Sequence, residues 1–205
     1  MALPSSETSA NPIRVIGPQY CHPYPFDLAI VRKILALTKA NFVITDVNEN
    51  ILFKVKGGIK VFNQRRTLLD AAGNAIVTLQ RKMGSAHGRW QVFRGESTDP
   101  AELLFSAKKS SFMQPKKELN VYLAGNTTKE VCNFKVQGSW LKRSCVIYAG
   151  ESSTIVAQMH KKLAAGSILL GKDRFMVTVY PQVDYAFIAA LIVIFAATNR
   201  RLRRG

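Results

Sequence analysis

Residues 186–197, AFIAALIVIFAA, are apolar without interruption, and this run restricts the fold more than any other feature of the chain. It is longer than the usual strand of about 3–10 residues. Asp184 stands ahead of it as a plausible N-cap, shortly after Pro181, so the sequence predicts a helix over residues 184–199. A helix with no polar face must be enclosed on every side or lie in lipid. A spanning helix wants about 20 apolar residues, and this run is shorter, so a protein container is expected in the rest of the chain.

That container reads as a set of short strands. Ile51, Phe53 and Val55 alternate with Leu52, Lys54 and Lys56, and Ala75, Val77 and Leu79 alternate with Ile76, Thr78 and Gln80. Leu119, Val121 and Leu123 flank Asn120 and Tyr122, and Phe175, Val177 and Val179 flank Met176 and Thr178. Period-two alternation is the mark of half-buried strands. Turn residues separate the runs at 46–50, 70–74, 125–126 and 149–153. Three of these turns, in ITDVNENILF, LLDAAGNAIV and IYAGESSTIV, suggest successive hairpins of a meander.

A helix is about 10–12 Å wide with its side chains, and a barrel of about eight strands is filled by its own side chains. Holding the helix therefore takes more strands. The expected fold is mainly β: a closed antiparallel barrel of ten to twelve strands around a central hydrophobic C-terminal helix, with no exposed sheet edge. Residues 1–18 read as a flexible tail, 19–199 as the barrel domain and 200–205 as a basic tail. The stretch YCHPYPFD, residues 20–27, reads as extended chain pinned to a surface.

Charge points to the kind of partner. Twenty-nine basic residues against 13 acidic give a net charge of +16, which favours polyanions: phosphoinositide headgroups, anionic bilayers or nucleic acid. Nucleic acid is the weakest of these, because no aromatic stacking platform interleaves with the cations. The three cysteines, Cys21, Cys132 and Cys145, make an odd count without a CxxC pair, which suits buried free thiols in a reducing, intracellular compartment. No basic segment followed by an apolar one opens the chain, so no secretory signal is expected.

No enzyme signature emerges. Residues 166–172 match the spacing of a phosphate-binding loop, but Asp173 stands where Ser or Thr belongs and the continuation reads as a strand. Residues 46–50 open like a calcium-binding loop, yet Ile51 and Gly57 replace the required Gly and Glu. His22, His87 and His160 have no zinc spacing, and a Cys145–His160 pair is a remote candidate nucleophile. Hence no catalytic residue, metal or cofactor is expected.

The basic doublets are the candidate ligand-binding residues. Lys108 and Lys109 with Lys116 and Lys117 bracket residues 110–115, whose Phe112 and Met113 could dip into a lipid interface. Arg65 with Arg66, and Lys142 with Arg143, are similar doublets at strand ends. Adjacent strand residues face opposite ways, so at most one of each pair can face a common site.

Five stretches, NFVITDVNENILFKVKG, LLDAAGNAIVTL, RWQVFRGES, GSWLKRSCVIYAGESSTIVAQM and KDRFMVTVYPQVDYAFIAALIVI, resemble the plant LURP-one-related family. The resemblance runs from about residue 20 to 194. It implies a fold similar to the C-terminal domain of tubby proteins and to phospholipid scramblases, with twelve strands around the helix. It also implies a non-catalytic binding domain for phosphoinositide or acidic membrane lipid, acting as a membrane-tethered regulator of transcription or plant defence. The expected protein is a monomer, cytoplasmic with peripheral plasma-membrane or nuclear association, with protein partners as well as lipid. Two alternatives stand beside this reading: a tail-anchored protein with its terminal helix in the bilayer, and a protein-interaction module without a lipid ligand.

Overall fold

The structure is a computed structural model that describes residues 11–32, 40–57, 64–85, 88–110, 117–140, 142–160 and 173–199. These hold twelve strands: β1 (Phe26–Arg32), β2 (Ala40–Thr45), β3 (Ile51–Lys56), β4 (Arg65–Leu69), β5 (Ala75–Arg81), β6 (Trp90–Arg94), β7 (Leu103–Lys109), β8 (Lys117–Leu123), β9 (Phe134–Ser139), β10 (Ser144–Ala149), β11 (Ile155–His160) and β12 (Asp173–Val179). One α-helix follows, α1 (Tyr185–Asn199). Each strand pairs antiparallel with its sequence neighbours, and β1 pairs with β12 from Phe26 opposite Val179 to Arg32 opposite Asp173, which closes the barrel.

The alternation seen in the sequence sorts side chains by wall face. Leu28 and Ile30, Phe53 and Val55, Val77 and Leu79, and Leu119 and Val121 are all buried against α1. Every residue from 186 to 197 is 7% exposed or less. Five alanines and a leucine favour the helix, and enclosure offsets the modest cost of its three isoleucines and one valine. Phe187 meets Phe105 and Phe134 near the start of the helix, while Phe195 meets Trp140 near its end.

Two of the expected hairpins share one chemistry. Asp46 Oδ1 accepts the Asn48 and Asn50 amides, and its Oδ2 accepts Asn50 Nδ2 at 2.8 Å. Asp70 does the same with Gly73 and Asn74. These bonds, led by the asparagine side chain, hold both carboxyls below the usual carboxylate range. Asp46 is thus the anchor of an Asx turn.

The tail assigned to residues 1–18 needs correction over its second half. The Ile13 amide donates to the Gln182 carbonyl and the Asp184 amide to the Ile13 carbonyl. Ile16 is buried, and a 3₁₀ turn spans Pro18–Tyr20. The cause is Asp184, which is 0% exposed. Its Oδ1 caps α1 through the Phe187 amide, while Oδ2 accepts the amides of Val15, Ile16 and Gly17 at 3.2, 2.6 and 3.0 Å. The helix N-terminus and these amides together offset the burial of a carboxylate. One side chain therefore caps the core helix and straps the N-terminal segment across the barrel end.

Asp184→Ala should cost about 3–5 kcal/mol in chemical denaturation, because it leaves several donors unmatched in a closed site. Amide hydrogen exchange over residues 15–17 should quicken in parallel. A loss below about 1 kcal/mol would mean that water satisfies these donors equally well.

Candidate functional site: a basic rim

Antiparallel neighbours put every second connection at the same end of a barrel. The end where α1 finishes is formed by the last residues of odd strands and the first residues of even ones. There β3 ends on Lys56, β4 begins with Arg65 and Arg66, β5 ends on Arg81, and the β5–β6 connection carries Lys82 and Arg89. Next around the rim, β7 ends on Lys108 and Lys109, β8 begins with Lys117, and the β9–β10 turn holds Lys142 and Arg143. Lys56, Lys82 and Lys142 are exposed. The acidic residues at these strand ends are Glu118 and Asp173. Glu118 is engaged on the wall, accepting from Gln137 Nε2 at 2.9 Å and lying 3.9 Å from Lys135 Nζ.

The opposite end has the reverse character. Its turns carry Asp46, Glu49, Asp70, Glu96, Asp99, Glu102, Glu130 and Glu151, against Arg94 and Lys129, with Arg14 on the N-terminal strap and with Lys54 and Lys135 reaching the Ala71 carbonyl and Glu151 there. Arg94 is already 3.7 Å from Glu102. The barrel is therefore electrostatically polar along the axis of α1.

The doublets split as strand geometry requires. Arg65 is exposed, but its Nη2 donates to the Glu96 carbonyl of the β6–β7 turn, so its guanidinium reaches along the outer wall toward the opposite end and Arg65 leaves the set of headgroup candidates. Arg66 is only 5% exposed and points into the barrel, so it leaves the set as well. Its guanidinium lies 5.8 Å from the Trp90 ring centroid, and its Nη1 is 3.5 Å from the Val193 carbonyl. A cation towards the carbonyl end of a helix and over an aromatic face recovers part of its lost hydration. Lys108 faces outward with Nζ 4.9 Å from the Tyr122 ring centroid, whereas Lys109 shares the inward parity of Phe105 and Ala107 at the barrel mouth. In the β9–β10 turn, Arg143 adopts φ 50° and donates its amide to the Trp140 carbonyl, and the Lys142 amide donates to Ser139 Oγ. Lys116, Phe112, Met113, His87 and the loop at 166–172 lie outside the described residues, as does the side chain of Lys117.

Cys145 and His160 do not form a pair. Cys145 lies opposite Met159 in the β10–β11 ladder and both are buried inside, so the next residue, His160, faces the other way. Burial pushes the Cys145 thiol up to about 12. Cys132 is buried just before β9, and its thiol is pushed up to about 11 by burial and by its bond to Glu151.

The folded chain keeps a proton on Cys145 that the unfolded chain releases near the ordinary value of 9.0. Stability present below that pH should therefore fall as pH rises toward 12, by up to about 1.4 kcal/mol per pH unit. Urea midpoints measured through the alkaline range should show this slope, and Cys145→Ala should lack that share of it. The same alkaline slope in both proteins would remove Cys145 as its source.

What the sequence did not expose was that the doublets share one end. The available signal was parity: in a meander, connections after odd strands fall together. The strap held by Asp184 was also missed, although the apolar residues of PIRVIG pointed to a docked segment.

A closed twelve-stranded antiparallel barrel, filled by its own C-terminal helix and basic at one rim, defines a helix-cored barrel class of protein. Within it, the chain belongs to the LURP-one-related family, whose model matches residues 26–196. It is similar to three Arabidopsis thaliana proteins. LURP-one-related 15 is 58% identical over 92% of this chain and 87% of that protein. LURP-one-related 10 is 52% identical over 91% and 96%, and LURP1 is 49% identical over 93% and 92%. The X-ray structure of an Arabidopsis thaliana protein, 52% identical, matches with a TM-score of 0.71 over 90% of this chain and 98% of its own.

Proposed function

We propose that this chain is a non-catalytic binding module that docks end-on to anionic membrane lipid through its basic rim. The observation that carries the reading is the gathering of cations from four successive hairpins at one end, with carboxylates at the other. The eight strands from β3 to β10 are separated by seven gaps of about 4.8 Å, so these hairpins cover roughly 34 Å of arc. That span exceeds a single headgroup and suits a flat anionic surface touched at several points. Each basic residue near such a surface contributes about 1 kcal/mol. The resemblance to tubby-like proteins, regarded as phosphoinositide-tethered, supports the same ligand class. On this reading the protein is a monomer held peripherally at a membrane, with its acidic end turned away from the lipid.

Co-sedimentation with vesicles tests it. Phosphatidylcholine vesicles should leave the protein in solution, and vesicles containing phosphatidylserine or phosphoinositide should pellet it. Binding should weaken steeply as salt shortens the Debye length from about 10 Å at 0.1 M to about 3 Å at 1 M. Indifference to anionic vesicles at low salt would end this reading and leave a protein-interaction module as the alternative.

A further inference from the structure

Ser85 lies in the β5–β6 connection at the end of the sequence Arg81-Lys82-Met83-Gly84-Ser85. Cations thus precede it by four and three residues. Its Oγ accepts the Arg89 amide at 3.2 Å and its carbonyl accepts the Gly88 amide at 3.0 Å, so a turn holds the serine off both strands. Met83 before it is 65% exposed, and Gly84 is exposed as well. The Arg81 side chain folds over the same turn: a Cβ placed on Gly88 would lie 2.9 Å from its Nη2. Ser85 itself is half-buried and Ser144 is exposed, so sequence context separates the hydroxyls. Among the described residues, those beside the other rim doublets have Gln64, Ala107 or Leu141 three residues ahead of them, where Ser85 has Lys82. Thr67 and Ser144 are ladder residues, opposite Thr78 and Ser139, and Ser110 Oγ is buried.

We propose that Ser85 is a phosphorylation site for a kinase that selects cations on the N-terminal side of its serine, and that phosphate there discharges the basic rim. In the transfer, Ser85 Oγ bonds to the γ-phosphorus of a nucleoside triphosphate and the bond to the bridging oxygen breaks. Nucleoside diphosphate leaves, and the hydroxyl proton passes to the base of the kinase. The phosphoserine carries about −1.5 to −2 charges at pH 7. It forms beside Arg81, Lys82 and Arg89, where guanidinium groups give charge-assisted hydrogen bonds to its oxygens. Cations of the rim then face a fixed phosphate instead of lipid. The consequence for docking rests on the membrane reading above, while the modification itself does not.

The test uses the full chain, ATP and a purified cation-selective serine kinase, with the phosphate located by mass spectrometry. Modified and unmodified protein are then sedimented with phosphatidylcholine vesicles containing phosphatidylserine. Ser85 should be the main acceptor, and incorporation should be lost in Ser85→Ala at an unchanged thermal midpoint. Vesicle affinity should fall roughly 30-fold on modification, the effect of about two elementary charges in the contact. Phosphate on other hydroxyls with none on Ser85 overturns the proposal, and so does modified Ser85 with unchanged vesicle binding. Unmodified protein that ignores the vesicles overturns the docking reading instead, and the mass spectrum still decides whether Ser85 is the acceptor.

Discussion

Ile192→Asp should abolish cooperative folding. Ile192 is 1% exposed and sits midway along α1, where the helix faces Ile30, Phe42, Ile44 and Trp140. The space between these side chains is too narrow for water to enter and solvate a carboxylate. A buried charge without a designed partner costs several kcal/mol even when it is neutralised by protonation. Domains of this kind have a net stability of about 5–15 kcal/mol. The lost packing of the isoleucine adds a further cavity penalty. Ile192→Val, which removes one methylene at the same place, should cost only about 0.5–1.5 kcal/mol. The contrast separates polarity from volume, and calorimetry of the two variants reads it directly. A sharp transition for Ile192→Asp within a few degrees of the parent protein would place this face of α1 outside the core.

The fold was legible because the helix and the strands demand one another. Residues 186–197 offer no polar face, and the alternating runs offer apolar faces that need something to bury against. The strands at 51–56, 75–81 and 173–179 and the cap at Asp184 all follow from local pattern. The missed features depend on contacts between distant residues. Asp184 could be read as an N-cap from its position, but its bonds to Val15, Ile16 and Gly17 span 167 to 169 residues of sequence. No local pattern carries such information. Arg66 and Arg65 are equivalent as letters, yet the strand pleat sends one to the Val193 carbonyl and the other outward. The rim is a third case: each doublet was visible, but their common end became visible only when twelve strands closed in sequence order.

Reversing charge on four successive hairpins should weaken binding to anionic vesicles by at least about three orders of magnitude. The residues are Lys56 at the end of β3, Lys82 after β5, Lys108 at the end of β7 and Lys142 in the β9–β10 turn. None belongs to the buried core, so Lys→Glu at all four should leave the thermal midpoint nearly unchanged. Each substitution removes one positive charge and adds one negative, taking the net charge from +16 to 16 − 8 = +8. At about 1 kcal/mol per basic residue, loss of four attractions alone is about 4 kcal/mol, or roughly a thousandfold, before any repulsion is counted. Net charge alone could produce part of this effect, so orientation needs its own control. Glu49→Lys with Glu130→Lys raises the net charge at the opposite end, where both side chains are exposed. If the rim makes the contact, that pair of substitutions should change vesicle binding little at about 0.1 M salt, because a helix about 22 Å long sets those charges about two Debye lengths of about 10 Å farther from the lipid. Equal and opposite effects from the two ends would reduce the interaction to overall charge and rule out end-on docking. A four-residue variant that still pellets with the vesicles as the parent does would remove the rim from the contact altogether.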